Sequence, residues 1–140
     1  MSNLWLIIGG VLSGFASLMH ITIIFGGPNW YRFFGAGEKF AVAAAQGKWQ
    51  PALITFGIAT VLAVWAAYAF AGAGLIPKLP LMRAALVAIS GVYLLRGAAL
   101  LPLMIAKPEL VTPFIVWSSL IVMVYGLVHA VGTWQAWPHL

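Results

Sequence analysis

Charge is so scarce in this sequence that every ionisable side chain within or beside an apolar run is a candidate for chemistry. The stretch His20–Lys39, HITIIFGGPNWYRFFGAGEK, holds one of the three histidines and, in Glu38, one of the two acids. Arg96 lies well inside a second apolar run and Trp117-Ser118-Ser119 inside a third. An arginine near the centre of a membrane helix costs about 2.5 to 3.5 kcal/mol on insertion scales, and such residues usually mark a ligand or ion site. The bland alternative is that Arg96 snorkels or bonds to carbonyls. Histidine changes charge near neutral pH, so His20 could shuttle a proton or simply bond to a neighbouring helix. With Glu38 as its acid–base partner and Arg96 as electrostatic stabiliser, it would suit an enzyme acting on a lipid or isoprenoid. A hydrolytic triad of Ser118 or Ser119 with His20 and Glu38 fits less well, since membrane helices use serine freely for packing. His20 and His129 together suggest a bis-histidine haem, but their depths differ by roughly 14 Å at 1.5 Å per helical residue. One iron needs both rings at the same level. His139 lies close to the terminus, where a solvent-facing side chain is the rule. No cofactor and no metal site is expected.

Composition determines what must position these groups. Hydrophobic residues make up 64% of 140 positions and charged residues 6%, with mean hydropathy +1.04. A soluble domain carries about 25% charged residues, so this chain lacks the charge to cover a water-facing surface. The net charge of +5 comes from seven Lys and Arg residues scattered between apolar runs, which form no basic patch for nucleic acid. With no cysteine, disulfides and thiolate chemistry are excluded. The first residues lack a basic leader and a small-residue cleavage site, so they read as a retained first span.

Four spans follow from apolar lengths of roughly 20 residues each: 4–25, 51–70, 81–103 and 113–134. The expected fold is an all-α membrane protein, a four-transmembrane-helix bundle forming a single domain over residues 1–140. A short interfacial or re-entrant helix, residues 30–46, lies between spans one and two, started by Asn29 as cap. Continued at 100° per residue, that helix puts Glu38 beside Tyr31, Phe34 and Val42 on an apolar side. In span one, Gly9, Ser13 and Ser17 recur every four residues and His20 continues the face, the small-residue pattern that lets membrane helices approach closely. In span four, Ser119, Val122, Gly126, His129 and Thr133 form one stripe. Thr112 and Pro113 are suited to start that helix, and Pro102 weakens the end of span three. Trp30, Trp49 and Trp117 mark one interface; Trp5, Trp65, Trp134 and Trp137 mark the other. Arg32, Lys39, Lys48 and Lys107 outnumber Lys78 and Arg83, which puts both termini outside the cytoplasm.

Counted from the first-loop side, His20, Thr55, Arg96 and Ser118/Ser119 all lie about 8 to 10 Å deep. They form one polar layer, with Glu38 as the expected charge partner of Arg96. The segments GGPNWYRFFGAGE after His20, YLLRG at Tyr93 to Gly97, and WSS at Trp117 to Ser119 resemble a group of small bacterial four-span inner-membrane proteins. The resemblance implies a bacterial inner membrane; it brings no established activity and no functional residues. The leading function is binding of a small or amphipathic molecule at the polar layer, with Arg96 reading its polar or anionic end. Trp30, Tyr31, Phe34, Tyr93 and Trp117 are the expected walls; His20, Glu38, Ser118 and Ser119 complete the candidate set. Membrane lipid is the expected partner and nucleic acid is not. The rivals are the enzyme above and a transporter or channel built as a homo-oligomer, since four short helices enclose little space alone.

Overall fold

The computed structural model describes residues 3–140, and these are helical with no strand. Seven α-helices follow in order: α1 (Leu4–Gly26), α2 (Pro28–Phe33), α3 (Glu38–Ala45), α4 (Gln50–Gly72), α5 (Met82–Ala98), α6 (Leu100–Ala106) and α7 (Pro113–Ala136). Single 3-10 turns follow at Pro108–Leu110 and Trp137–His139. Four stretches, Leu4–Gly26, Gln50–Gly72, Met82–Ala106 and Pro113–His139, are long and apolar enough to cross a membrane. Large apolar side chains stay uncovered along them, for example Leu95 at 73% and Ile105 at 83% exposure. Large apolar side chains left uncovered along four such stretches suit a lipid-facing surface.

Local chemistry accounts for the boundaries. Thr112 caps α7 as expected, its Oγ1 accepting the Ile115 amide at 3.2 Å, with Pro113 at the first position. Pro102 has no amide to offer the Ala98 carbonyl, and the ladder breaks at Ala99 between α5 and α6. The Leu103 amide still reaches the Ala99 carbonyl at 3.2 Å, so the third apolar stretch runs on to Ala106, past the expected end at Leu103.

The expected interfacial helix over residues 30–46 is instead two helices. Gly35 at φ 75° and Gly37 at φ 97° adopt the left-handed backbone that glycine alone enters freely, ending α2 and starting α3 in a new phase. The start also differs. Gly27 occupies the cap position and Pro28 the first turn, while Asn29 lies inside α2.

By contact the chain forms two compact units, residues Gly14–Val64 and the remainder, Met1–Ser13 with Trp65–Leu140; α1 and α4 contribute to both. In the larger unit α5 and α7 pack most closely. A Cβ on Gly97 would lie 2.9 Å from the Met123 Cα, and one on Gly126 would lie 2.9 Å from the Leu94 amide nitrogen. Backbone thus meets backbone in both directions across this contact. Leu6 and Leu86 complete the core without exposure. In the smaller unit Tyr31, Ile23 and Ala41 form a core with Phe34, Phe40 and Ala44 around it.

Candidate functional site

In the larger unit, Arg96 reaches from α5 to α7. Its Nη1 donates to Ser119 Oγ at 2.8 Å and its Nη2 to Ser118 Oγ at 3.2 Å. Ser118 in turn donates to the Ile115 carbonyl at 3.2 Å, which fixes its oxygen toward the guanidinium. Ser119 is 1% exposed, whereas Arg96 is exposed. A guanidinium carries five N–H donors; two are used here, so three remain. Among the described residues of the larger unit no carboxylate lies within ion-pairing distance of it. Beside it lies an open groove of about 280 Å³, lined by Arg96, Ala99, Leu100, Leu103, Ile115 and Ser119.

Glu38, the expected partner of Arg96, is paired within its own unit. Glu38 is instead held by Arg32, whose Nε donates at 3.0 Å to Oε2 and whose Nη2 donates at 2.9 Å to Oε1. Arg32 Nη1 also donates to Asn29 Oδ1 at 3.2 Å. The hydrogen bonds from Arg32 outweigh the opposing desolvation and, with a smaller contribution from its charge, hold the Glu38 carboxyl below its ordinary pKa; the same contact raises that of Arg32. The physical reason for the difference is the glycine break. It carries Glu38 off the apolar side that a continuous helix would have given it, to a side-chain exposure of 68%.

A second polar feature of the larger unit lies in its interior. Tyr93 Oη on α5 and Ser13 Oγ on α1 are 2.8 Å apart, and Ser13 Oγ is 3.2 Å from His129 Nε2 on α7. His129 Nδ1 lies 2.7 Å from the Tyr125 carbonyl, which can only accept. Nδ1 therefore carries the proton, Nε2 accepts from Ser13, and Ser13 accepts from Tyr93. Ser13 and His129 have no exposure and Tyr93 has 6%. The Tyr93 ring packs edge-on against Trp65 at 5.1 Å and Tyr125 at 5.5 Å. Trp65, expected in an interfacial belt, thus belongs to this cluster. Thr133 Oγ1, one turn beyond His129, is buried with no hydrogen-bond partner among the described residues.

The other expected residues divide between the two units. His20 is half-buried and its Nδ1 donates to its own helix at the Ala16 carbonyl, 2.7 Å away. Thr55, likewise, is buried and donates to the Pro51 carbonyl at 2.7 Å. Tyr31 is a core residue at 2% exposure, with Phe40 edge-on at 6.0 Å. Trp30 and Phe34 line an apolar recess of about 380 Å³ with Met19, Asn29 and Phe33. Tyr93 is occupied by the interior chain, and Trp117 is 67% exposed. Of the expected polar layer, the structure brings together Arg96, Ser118 and Ser119.

Comparison with known family models, curated proteins and solved structures finds no match. Function must therefore be read from these side chains.

The sequence reading missed the joining of Ser13, Tyr93 and His129. Its signal was present in two halves, the Gly9–Ser13–Ser17 face and the His129–Thr133 stripe. Each stripe marks a packing face, but periodicity does not say which face meets which.

Proposed function

We propose that this is an integral membrane protein of the bacterial inner membrane, with both termini outside the cytoplasm, that binds the anionic end of a small or amphipathic molecule at Arg96. The observation that carries this reading is a guanidinium, on a stretch long and apolar enough to cross a membrane, whose side-chain partners, Ser118 and Ser119, are both neutral. Hydroxyls orient the guanidinium without cancelling its charge. A carboxylate partner would have removed the need for a ligand; two serines leave the charge and a fork of donors available. Buried on one flank and open on the other, the site can shed the water of an incoming anion while giving it in-plane hydrogen bonds. None of the groups at Arg96 is a nucleophile paired with a base, so binding accounts for the geometry better than catalysis does.

Native mass spectrometry of the protein released from lipid nanodiscs tests the proposal. Wild type should retain an anionic adduct that Arg96→Gln loses, while a control substitution at exposed Leu95 keeps it. Equal retention by Arg96→Gln would refute the assignment. The same spectra report whether the protein is a monomer or a homo-oligomer.

A further inference from the structure

We infer that the molecule bound at Arg96 is a small monoanionic carboxylate with a compact apolar body, held carboxylate inward, and not a bilayer phospholipid. This rests on Arg96 being an anion contact, and it adds the class of the anion and the direction in which it lies.

Direction comes from which neighbours line the groove. Ala99, Leu100 and Leu103 follow Arg96 by three, four and seven residues, so they share its helix face and lie toward the Ala106 end. Ile115 precedes Ser119 by four, so it shares that serine's face and lies toward the Pro113 end of α7. The residues Lys107–Thr112 join these two ends, so the groove leads from the charged site to the connector side. At about 1.5 Å per residue, Leu103 is roughly 10 Å from Arg96 along the axis. The charged group therefore sits at the deep end and apolar walls sit between it and the near interface. A phospholipid with its phosphate at Arg96 would have to lay its polar headgroup along Ala99, Leu100, Leu103 and Ile115. Those side chains offer it no hydrogen bond. A molecule of opposite polarity, apolar body outward and anion inward, meets a matching wall at every point.

Charge and size narrow the class further. Arg96 is the sole charged residue lining the groove among the described residues, so a single negative charge is neutralised and a phosphomonoester dianion is left in excess among apolar walls. The planar fork suits the two oxygens of a carboxylate. Ser119 accepts from Arg96, which leaves its own hydroxyl hydrogen to donate to the same anion. A groove of about 280 Å³ is at the small end for ligand sites, which suits a ring or a short chain.

Fluorine NMR on the protein in zwitterionic nanodiscs tests this with 4-fluorobenzoate, neutral 4-fluorobenzyl alcohol and dianionic 4-fluorophenyl phosphate as probes. Added phosphatidylglycerol, read by its native mass-spectrometric adduct, serves as the lipid arm. The benzoate should bind saturably, at least about tenfold more tightly than the alcohol or the phosphate. It should weaken by about tenfold or more in Arg96→Gln, and also in Leu103→Trp, which fills the groove and leaves the guanidinium in place. Arg96→Lys should fall between, keeping the charge and losing the fork. Tighter binding of the phosphate probe would overturn the carboxylate assignment. A phosphatidylglycerol adduct that needs Arg96 but ignores Leu103→Trp, with no benzoate binding, would overturn the inference while sparing the Arg96 reading. Loss of Arg96 dependence for every probe would overturn both.

Discussion

Replacing Ser13 by alanine should loosen the larger unit by more than any other deletion of one atom in it. Ser13 Oγ is the link between Tyr93 Oη at 2.8 Å and His129 Nε2 at 3.2 Å, and all three side chains are buried. The substitution leaves the Tyr93 hydroxyl without an acceptor and the His129 nitrogen without a donor. In a water-soluble protein two orphaned groups would cost about 1 to 3 kcal/mol each. Between membrane helices the comparison state is different, because separated helices in lipid find other partners. Measured interhelical bonds there average about 0.6 kcal/mol and reach about 1.7. Two such bonds give about 1 to 3 kcal/mol for Ser13→Ala. The assay is reversible unfolding in mixed micelles of mild detergent and dodecyl sulfate, followed by circular dichroism. Tyr93→Phe alone should cost about 0.6 kcal/mol, since Ser13 can still donate to His129. The double variant should then fall short of the sum by about 0.6 kcal/mol, the energy of the shared bond. A Ser13→Ala effect below about 0.3 kcal/mol, or strict additivity, would refute the interior chain.

Three further outcomes follow from the same structure. Thr133→Val should raise stability by about 1 kcal/mol in that assay, because it replaces a buried hydroxyl that has no partner among the described residues with a methyl of similar shape; a loss would mean the hydroxyl is satisfied. Gly97→Ala should destabilise by about 1 to 3 kcal/mol, since its Cβ meets the Met123 backbone at 2.9 Å, whereas Gly91→Ala, with open space around its Cβ, should be nearly neutral. Glu38 has a folded pKa below its unfolded one, so its contact with Arg32 helps hold α2 to α3 above the unfolded pKa and is lost as pH falls through the folded value. A carboxyl carbon titration by NMR should show Glu38 titrating below its ordinary value in wild type and shifting upward in Arg32→Gln.

Much of the architecture was legible because it depends on length and local chemistry. Four apolar runs, the Thr112–Pro113 start of α7 and the break near Pro102 each follow from a few adjacent residues. The buried stripe of Ser119, Gly126, His129 and Thr133 was visible as a 3.6-residue period. The single interfacial helix was misread because helical phase was carried across Gly35 and Gly37, which take left-handed backbone angles. That error moved Glu38 onto the wrong face and produced the expectation of a pair with Arg96. Depth along a helix is a matter of counting, so placing Arg96 level with Ser118 and Ser119 succeeded. Azimuth is not: which face of α1 meets Tyr93 and His129 depends on packing among all the helices. The Ser13 link could therefore not be read from spacing alone.

The most direct test of the account is the Arg96 guanidinium itself, observed by nitrogen-15 NMR of arginine-labelled protein in nanodiscs while benzoate is added. The account predicts that the Arg96 Nε–H signal shifts saturably and that its exchange with water slows, while the Arg32 signal, already engaged by Glu38, stays in place. An Arg96 signal that does not respond to any anion would contradict it.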